Sequence, residues 1–151
     1  DIDVPPLKLA PTHRWIGAGE ATSDVQVLTD AEVTDCNVTD SALKYWHKTK
    51  QGCSFSEVAS LAKGKPSHFN WIRLSETNPS STLPAEHAKI HHWKQCRPLT
   101  YREWKRLGSF PDDYHAKTDK IGKYMIGMSV PPKMTEQVAR AVCQQWLGVA
   151  P

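Results

Sequence analysis

The strongest nucleophiles in this 151-residue chain are four cysteines, each in a different setting: Asp-Cys-Asn at Cys36, Gly-Cys-Ser at Cys53, Gln-Cys-Arg at Cys96 and Val-Cys-Gln at Cys143. None forms a Cys-x-x-Cys pair, so in a reducing compartment they read as small hydrophobes or free thiols. A second series, His87, His91, His92 and Cys96, has steps of four and five that would gather nitrogen and sulfur ligands on one helical face around zinc. Pro98 and the polar run before it break such a helix, and structural zinc sites bring a second cysteine pair. These four therefore read as loop or surface groups, and no metal is expected.

Charge is more informative divided along the chain than summed. Residues 1–40 hold two basic groups against eight acidic ones, residues 41–85 six against two, and residues 86–125 nine against five. A basic, aromatic-rich body behind an acidic leader is one signature of phosphate-backbone binding, but by itself a weak one that a solvated surface happening to be basic produces more often. With 39% hydrophobic residues the chain can build a core of one domain, or of two small pieces of one. It shows neither an 18-residue apolar run nor a basic-then-apolar leader, which points to the cytosol with no membrane role. It begins Asp1-Ile2-Asp3 without Met, as a processed chain or a piece of something longer would.

The elements that must position these groups can be read from caps and periodicity. Residues 1–24, with Pro5, Pro6, Pro11, Gly17 and Gly19, form an extended arm whose Leu7, Leu9, Trp15 and Ile16 need a surface to lie on. Val25 to Leu28 allows a short strand, and Thr29 or Asp30 a helical turn over Ala31 and Glu32. Asp40 or Ser41 caps a helix through Leu43, Tyr45, Trp46 and His47 that Gly52 stops; Ser54 or Ser56 starts another, ended by Gly64 and Pro66. Phe69 to Leu74 is the best strand candidate, with Phe69, Trp71 and Arg73 on one face. Thr100 and Glu103 make a capping box, and Leu99 with Trp104 makes a hydrophobic staple around it. Leu107 lies on the buried side, Lys105 and Arg106 face water, and Gly108 closes the helix. Pro131 and Pro132 open a last helix striped by Met134, Val138, Ala141, Val142, Gln145 and Trp146 before Gly148.

Two adjacent stretches carry a resemblance. Arg97-Pro98-Leu99-Thr100-Tyr101-Arg102-Glu103-Trp104-Lys105-Arg106-Leu107-Gly108-Ser109-Phe110-Pro111-Asp112-Asp113-Tyr114 is similar to the ninth block of the DNA cytosine-5 methyltransferases at every defined position. Tyr124-Met125-Ile126-Gly127-Met128-Ser129-Val130-Pro131-Pro132 resembles the tenth, with Met128 where the family usually has Asn. Arg73-Leu74, Pro79 and Thr82-Leu83 look like the close of the family's target-recognition region.

The resemblance implies an α+β chain in two parts. Residues 1–90 would be a target-recognition region of short strands and helices. Residues 91–151 would be a mainly helical closing segment that, in the whole enzyme, packs on a Rossmann-like methyltransferase domain. It implies S-adenosylmethionine, bound mainly by a missing N-terminal part and met here by the turn Met128, Ser129 and Val130, most plausibly through backbone since a Met side chain replaces no amide; the same turn could instead only pack a helix. It implies double-stranded DNA, with Lys44, Lys48, Lys50, Lys63 and Lys65 for phosphates and Arg73, Thr82 and Leu83 near the target base. The bland reading is a solvated face for the lysines and a buried ion pair for Arg73. Arg97, Thr100, Arg102 and Glu103 would brace the lobes.

Methylating carbon 5 of cytosine needs a thiolate, which the family takes from a Pro-Cys dipeptide, and an acid from Glu-Asn-Val. None of the four cysteines follows a proline, and neither Glu-Asn-Val nor a Gly-rich cofactor loop occurs. No residue of this chain is therefore expected to be catalytic. The implied protein is the C-terminal part of a bacterial, phage or prophage restriction-modification methyltransferase, inactive alone and completed by its N-terminal part or a partner subunit. A freestanding DNA-binding module and a structural interaction domain are the competing readings. Without its partner, the stripe on the last helix should drive association.

Overall fold

A computed structural model of the chain describes residues 5–10, 14–25, 27–68, 70–86 and 89–148. Phe69 and His87 lie outside them, and with them part of the strand and zinc readings. Most helix starts follow side-chain caps. α1 (Ala18–Ala21) is a single turn; α2 (Asp30–Asp35) is opened by Thr29; and α3 (Asp40–Trp46) is opened by Thr39, one residue ahead of the expected cap. α4 (Phe55–Lys63) starts at Ser54 and ends at Gly64, whose left-handed φ of 63° suits a residue without Cβ. α3 stops well before Gly52, because buried Thr49 turns back and gives its hydroxyl to the Tyr45 carbonyl at 2.9 Å.

The strand at 69–74 contracts to β1 (Ile72–Arg73), paired in parallel with β2 (Ile90–His91) in the register Ile72 with Ile90 and Arg73 with His91. Residues 52–55 run along the other side of β1, where the Phe55 amide reaches the Trp71 carbonyl at 2.7 Å. Val25 is buried but ends a turn on Thr22 and forms no strand. His91 and His92 are buried and not surface groups: the His91 ring stacks on Trp71 at 4.9 Å, and the two amides of Lys94 and Gln95 donate to His92 Nδ1. Among the described residues no His/Cys/Asp/Glu group is placed to hold a metal ion, and no helix is long and apolar enough to cross a membrane.

α5 (Tyr101–Leu107) begins with the expected Thr100–Glu103 box, and Leu99 and Trp104 are fully buried. Lys105 does not face water. It is buried, with Nζ donated to the Asp112 carbonyl and lying 5.1 Å from the Tyr101 ring centre. α6 (Asp119–Met128), capped by Thr118, was not expected from the sequence. α7 (Pro132–Val142) has Pro132 in its first turn and runs into a wider π-type turn over Cys143–Leu147. The architecture is thus α+β: helices around a two-stranded sheet.

Two cores hold it. The larger gathers Ala18, Leu74, Ile90, Trp93, Leu99, Tyr101, Trp104 and Ile126, so it draws on both halves of the chain. The smaller joins Tyr45 and Trp46 of α3 to Phe55 and Ala59 of α4. The arm finds two surfaces. Lys8 exchanges backbone bonds with the Gln145 amide, Trp146 gives its indole N–H to the Pro5 carbonyl, and the amides of Ala18 and Gly19 bond residues 78 and 76.

Candidate functional site

A groove of about 670 Å³ is lined by Ser80, Thr82 and Leu83 together with Ser109, Ser129 and Lys133, and by Ile126 and Gly127 of the helix α6. One close approach builds it. A Cβ on Gly127 would stand 2.4 Å from the Pro84 carbonyl oxygen, so only glycine lets α6 touch the backbone of residues 84–85. That contact lays Thr82 and Leu83 beside the C-terminal end of α6, where the chain leaves through Ser129. Ser129 closes α6, its hydroxyl donating to the Met125 carbonyl at 2.6 Å and its amide to Ile126 at 3.1 Å.

The structure thus brings Ser129 of the expected cofactor turn and the Thr82–Leu83 edge into one groove. It leaves Met128 and Val130 outside that lining, 66% and 61% exposed. The five lysines stand elsewhere. Lys44, Lys48 and Lys50 are exposed in and after α3, and Lys63 and Lys65 at the end of α4, two helices packed on each other.

Arg73 forms no ion pair among the described residues. Its Nε and Nη2 donate to the Trp93 carbonyl at 2.9 and 2.6 Å, and Nη1 to the Thr49 carbonyl at 2.9 Å, while the guanidinium lies 3.7 Å from the Trp46 ring centre. It clamps loop carbonyls around the sheet, and desolvation in that setting lowers its pKa. None of the cysteines lines the groove. Burial raises the Cys36 and Cys96 thiols above their ordinary value, which disfavours the thiolate.

Arg97, Thr100, Arg102 and Glu103, the residues expected to brace the lobes, form two neighbouring centres. Glu103 receives Arg97 through both oxygens at 2.8 Å, caps the Thr100 amide at 2.8 Å, and lies 3.7 Å from His92 Nε2. Burial first, then the Arg97 charge, pulls His92 down to about 4; burial alone does the same for His91. Arg102, the next residue along α5, reaches away to Glu32 at 2.7 Å on both oxygens and to the Val27 carbonyl. Arg106 binds Asp24 and Asp112, and its guanidinium holds both carboxyls below their usual range. Sequence reading missed Glu32, Asp24 and Lys133 as partners. Only Glu32 carried a local signal, since Thr29-x-x-Glu32 repeats the box at Thr100.

Residues 12–144 match the C-5 cytosine-specific DNA methylase family. Type II methyltransferase M1.HphI of Haemophilus parahaemolyticus is 37% identical over 73 residues, 48% of this chain and 20% of its own length. M.NgoFVII of Neisseria gonorrhoeae is 27% identical over 87% of this chain and 39% of itself. M.AquIB of Picosynechococcus sp. is 31% identical over 72% of this chain and 84% of itself. The chain spans about a fifth of the length of relatives such as M1.HphI, M.Bpa9945I and M.BbvI. No solved structure matches it. The match along most of the chain, on the helices and turn that build the groove, settles the kinship: this protein belongs to the C-5 cytosine-specific DNA methylase family.

Proposed function

We propose that this chain is the target-recognition and closing part of a DNA cytosine-5 methyltransferase, and that it methylates only with a catalytic part carrying the reactive thiol. The observation that carries this is the groove, whose lining joins the expected target-base edge, Thr82 and Leu83, to Ser129 of the expected donor turn. Methyl transfer needs donor and acceptor within contact, so the two edges must meet somewhere in the enzyme. S-adenosylmethionine, when bound, supplies an electrophilic methyl on sulfur. The groove's mixed lining of hydroxyls and apolar side chains fits such an amphipathic group, with Ser129 and the backbone of Met128 and Val130 at its edge.

A cytosine flipped from the duplex would enter from the Thr82–Leu83 side, its carbon 6 taking a thiolate from the other part. The four cysteines of this chain stand away from the groove, and two of them have raised pKa values, which supports an external thiol. The lysines of α3 and α4 grip phosphates, and Arg73 holds that surface in shape through the loop carbonyls.

That the chain covers 84% of M.AquIB supports a second chain as the source of the catalytic part, since that type II methyltransferase is itself of about this size. Transfer of a tritiated methyl group to duplex DNA is the test. The chain alone is expected to give none, and a mixture with a polypeptide bearing the Pro-Cys half is expected to give turnover. Turnover by the chain alone overturns the proposal. DNA binding that falls steeply with salt but never gains activity in the mixture would favour a freestanding binding module.

A further inference from the structure

Among the described residues, Ser109 is the one non-glycine whose backbone is left-handed, with φ of 58°. Its place explains the conformation. The Phe110 amide reaches back to the Lys105 carbonyl at 2.8 Å and the Ser109 amide to Arg106 at 3.1 Å, the paired bonds of a Schellman ending in which the left-handed position usually falls to glycine. A serine there is strained. What its side chain does is unusual: Ser109 Oγ accepts the Lys133 amide at 3.1 Å, across 24 residues of chain.

α7 needs that bond. Its own N-cap is Pro131, which offers no side-chain acceptor, and Pro132 has no N–H, so Lys133 holds the first open donor of the helix. The next amides, of Met134 and Thr135, turn back to the Pro131 carbonyl. The end of α5 therefore caps the start of α7.

We infer that Ser109 is a positioning residue for the donor turn: it holds a strained backbone so that its hydroxyl caps α7 from another helix, fixing Pro131 and hence where Ser129 stands in the groove. Ser109 and Ser129 both line that groove. The role in catalysis rests on the reading of the groove proposed above.

Three variants separate the effects. Ser109→Ala loses the cap and keeps the strain, so the chain should melt at a lower temperature than wild type. Ser109→Gly loses the cap but relieves the backbone, so its melting temperature should stay near wild type. A glycine variant clearly more stable than wild type would show that the hydroxyl contributes nothing, and would overturn the capping. In the methyltransferase assembled with its catalytic part, both variants should raise KM for S-adenosylmethionine about five-fold, as expected for one lost hydrogen bond, with kcat unchanged. Ser109→Asn, which tolerates the left-handed region and offers an acceptor, should restore it. A wild-type KM in Ser109→Gly, with the enzyme active, overturns the positioning role alone. No methylation from any variant or from wild type defeats the underlying reading, and the positioning role with it.

Discussion

The same four-residue device occurs twice in this molecule with different physical weight. Thr29-x-x-Glu32 and Thr100-x-x-Glu103 are both reciprocal capping boxes, and each glutamate receives an arginine through two oxygens. At the second, the side chains of Arg97 and Glu103 are 8% and 1% exposed; at the first, Arg102 and Glu32 are 40% and 8% exposed. Local sequence starts a helix equally well in either place. What differs is how much water each ion loses on folding, and so what breaking the pair would cost. The buried centre also holds an imidazole, while the outer one ties residues 27–32 to α5. One serves the core and the other fastens residues 27–32 to it.

Removing the buried carboxylate should have the largest effect. Glu103→Ala strands the Arg97 charge and uncaps the Thr100 amide, and about 3–5 kcal/mol of stability should be lost, measured by urea unfolding. A loss below about 1 kcal/mol would mean that the two centres do not differ as their burial says.

Acid should weaken the same core next. His91 and His92 are held at about 4 against the ordinary 6.5. Both are neutral, folded or unfolded, above 6.5, so their neutrality costs nothing there. As pH falls from 6.5 towards 4 the unfolded chain takes up protons that the folded one refuses, and stability drops by up to about 3 kcal/mol per imidazole. Unfolding midpoints across that window, in wild type and in His92→Gln, check the sign and the share of His92. An unchanged midpoint down to pH 4.5 would contradict it.

The smallest effect belongs to the outer centre. Arg102→Ala should cost about 1 kcal/mol, and less in 1 M salt, because the guanidinium is partly solvated. A salt-independent loss as large as that of Glu103→Ala would erase the contrast between the centres.

How much of this was legible in the sequence follows the range of each interaction. The box at Thr100, the staple of Leu99 and Trp104, the ends of α4 and the prolines opening α7 were legible because each depends on residues within one turn. α6 was not, although Thr118 offered a cap. Gly122 and Gly127 argue locally against a helix, each costing about 1 kcal/mol relative to Ala. Both are required by packing, since a Cβ on Gly122 would fall 2.4 Å from the Tyr101 ring and one on Gly127 as near the Pro84 carbonyl. Close approach of the α6 backbone to a ring at one glycine and to another backbone at the other outweighed propensity.

The site divides the same way. Ser129 and the pair Thr82–Leu83 became candidates through the motifs they resemble, but their meeting in one groove depends on the contact at Gly127. The burial of Lys105, Arg73's hold on carbonyls and the bonds from Arg102 to Glu32 and Arg106 to Asp24 span 7 to 82 residues of chain. Side-chain type gave the charges, and no local rule named their partners. The amino-acid order alone settled where α4 and α5 begin and which family's blocks the chain carries, because those caps and motifs act between near neighbours. Only the folded chain decided which charges lost their water and which edges share a groove, because desolvation and close packing are properties of the assembled interior.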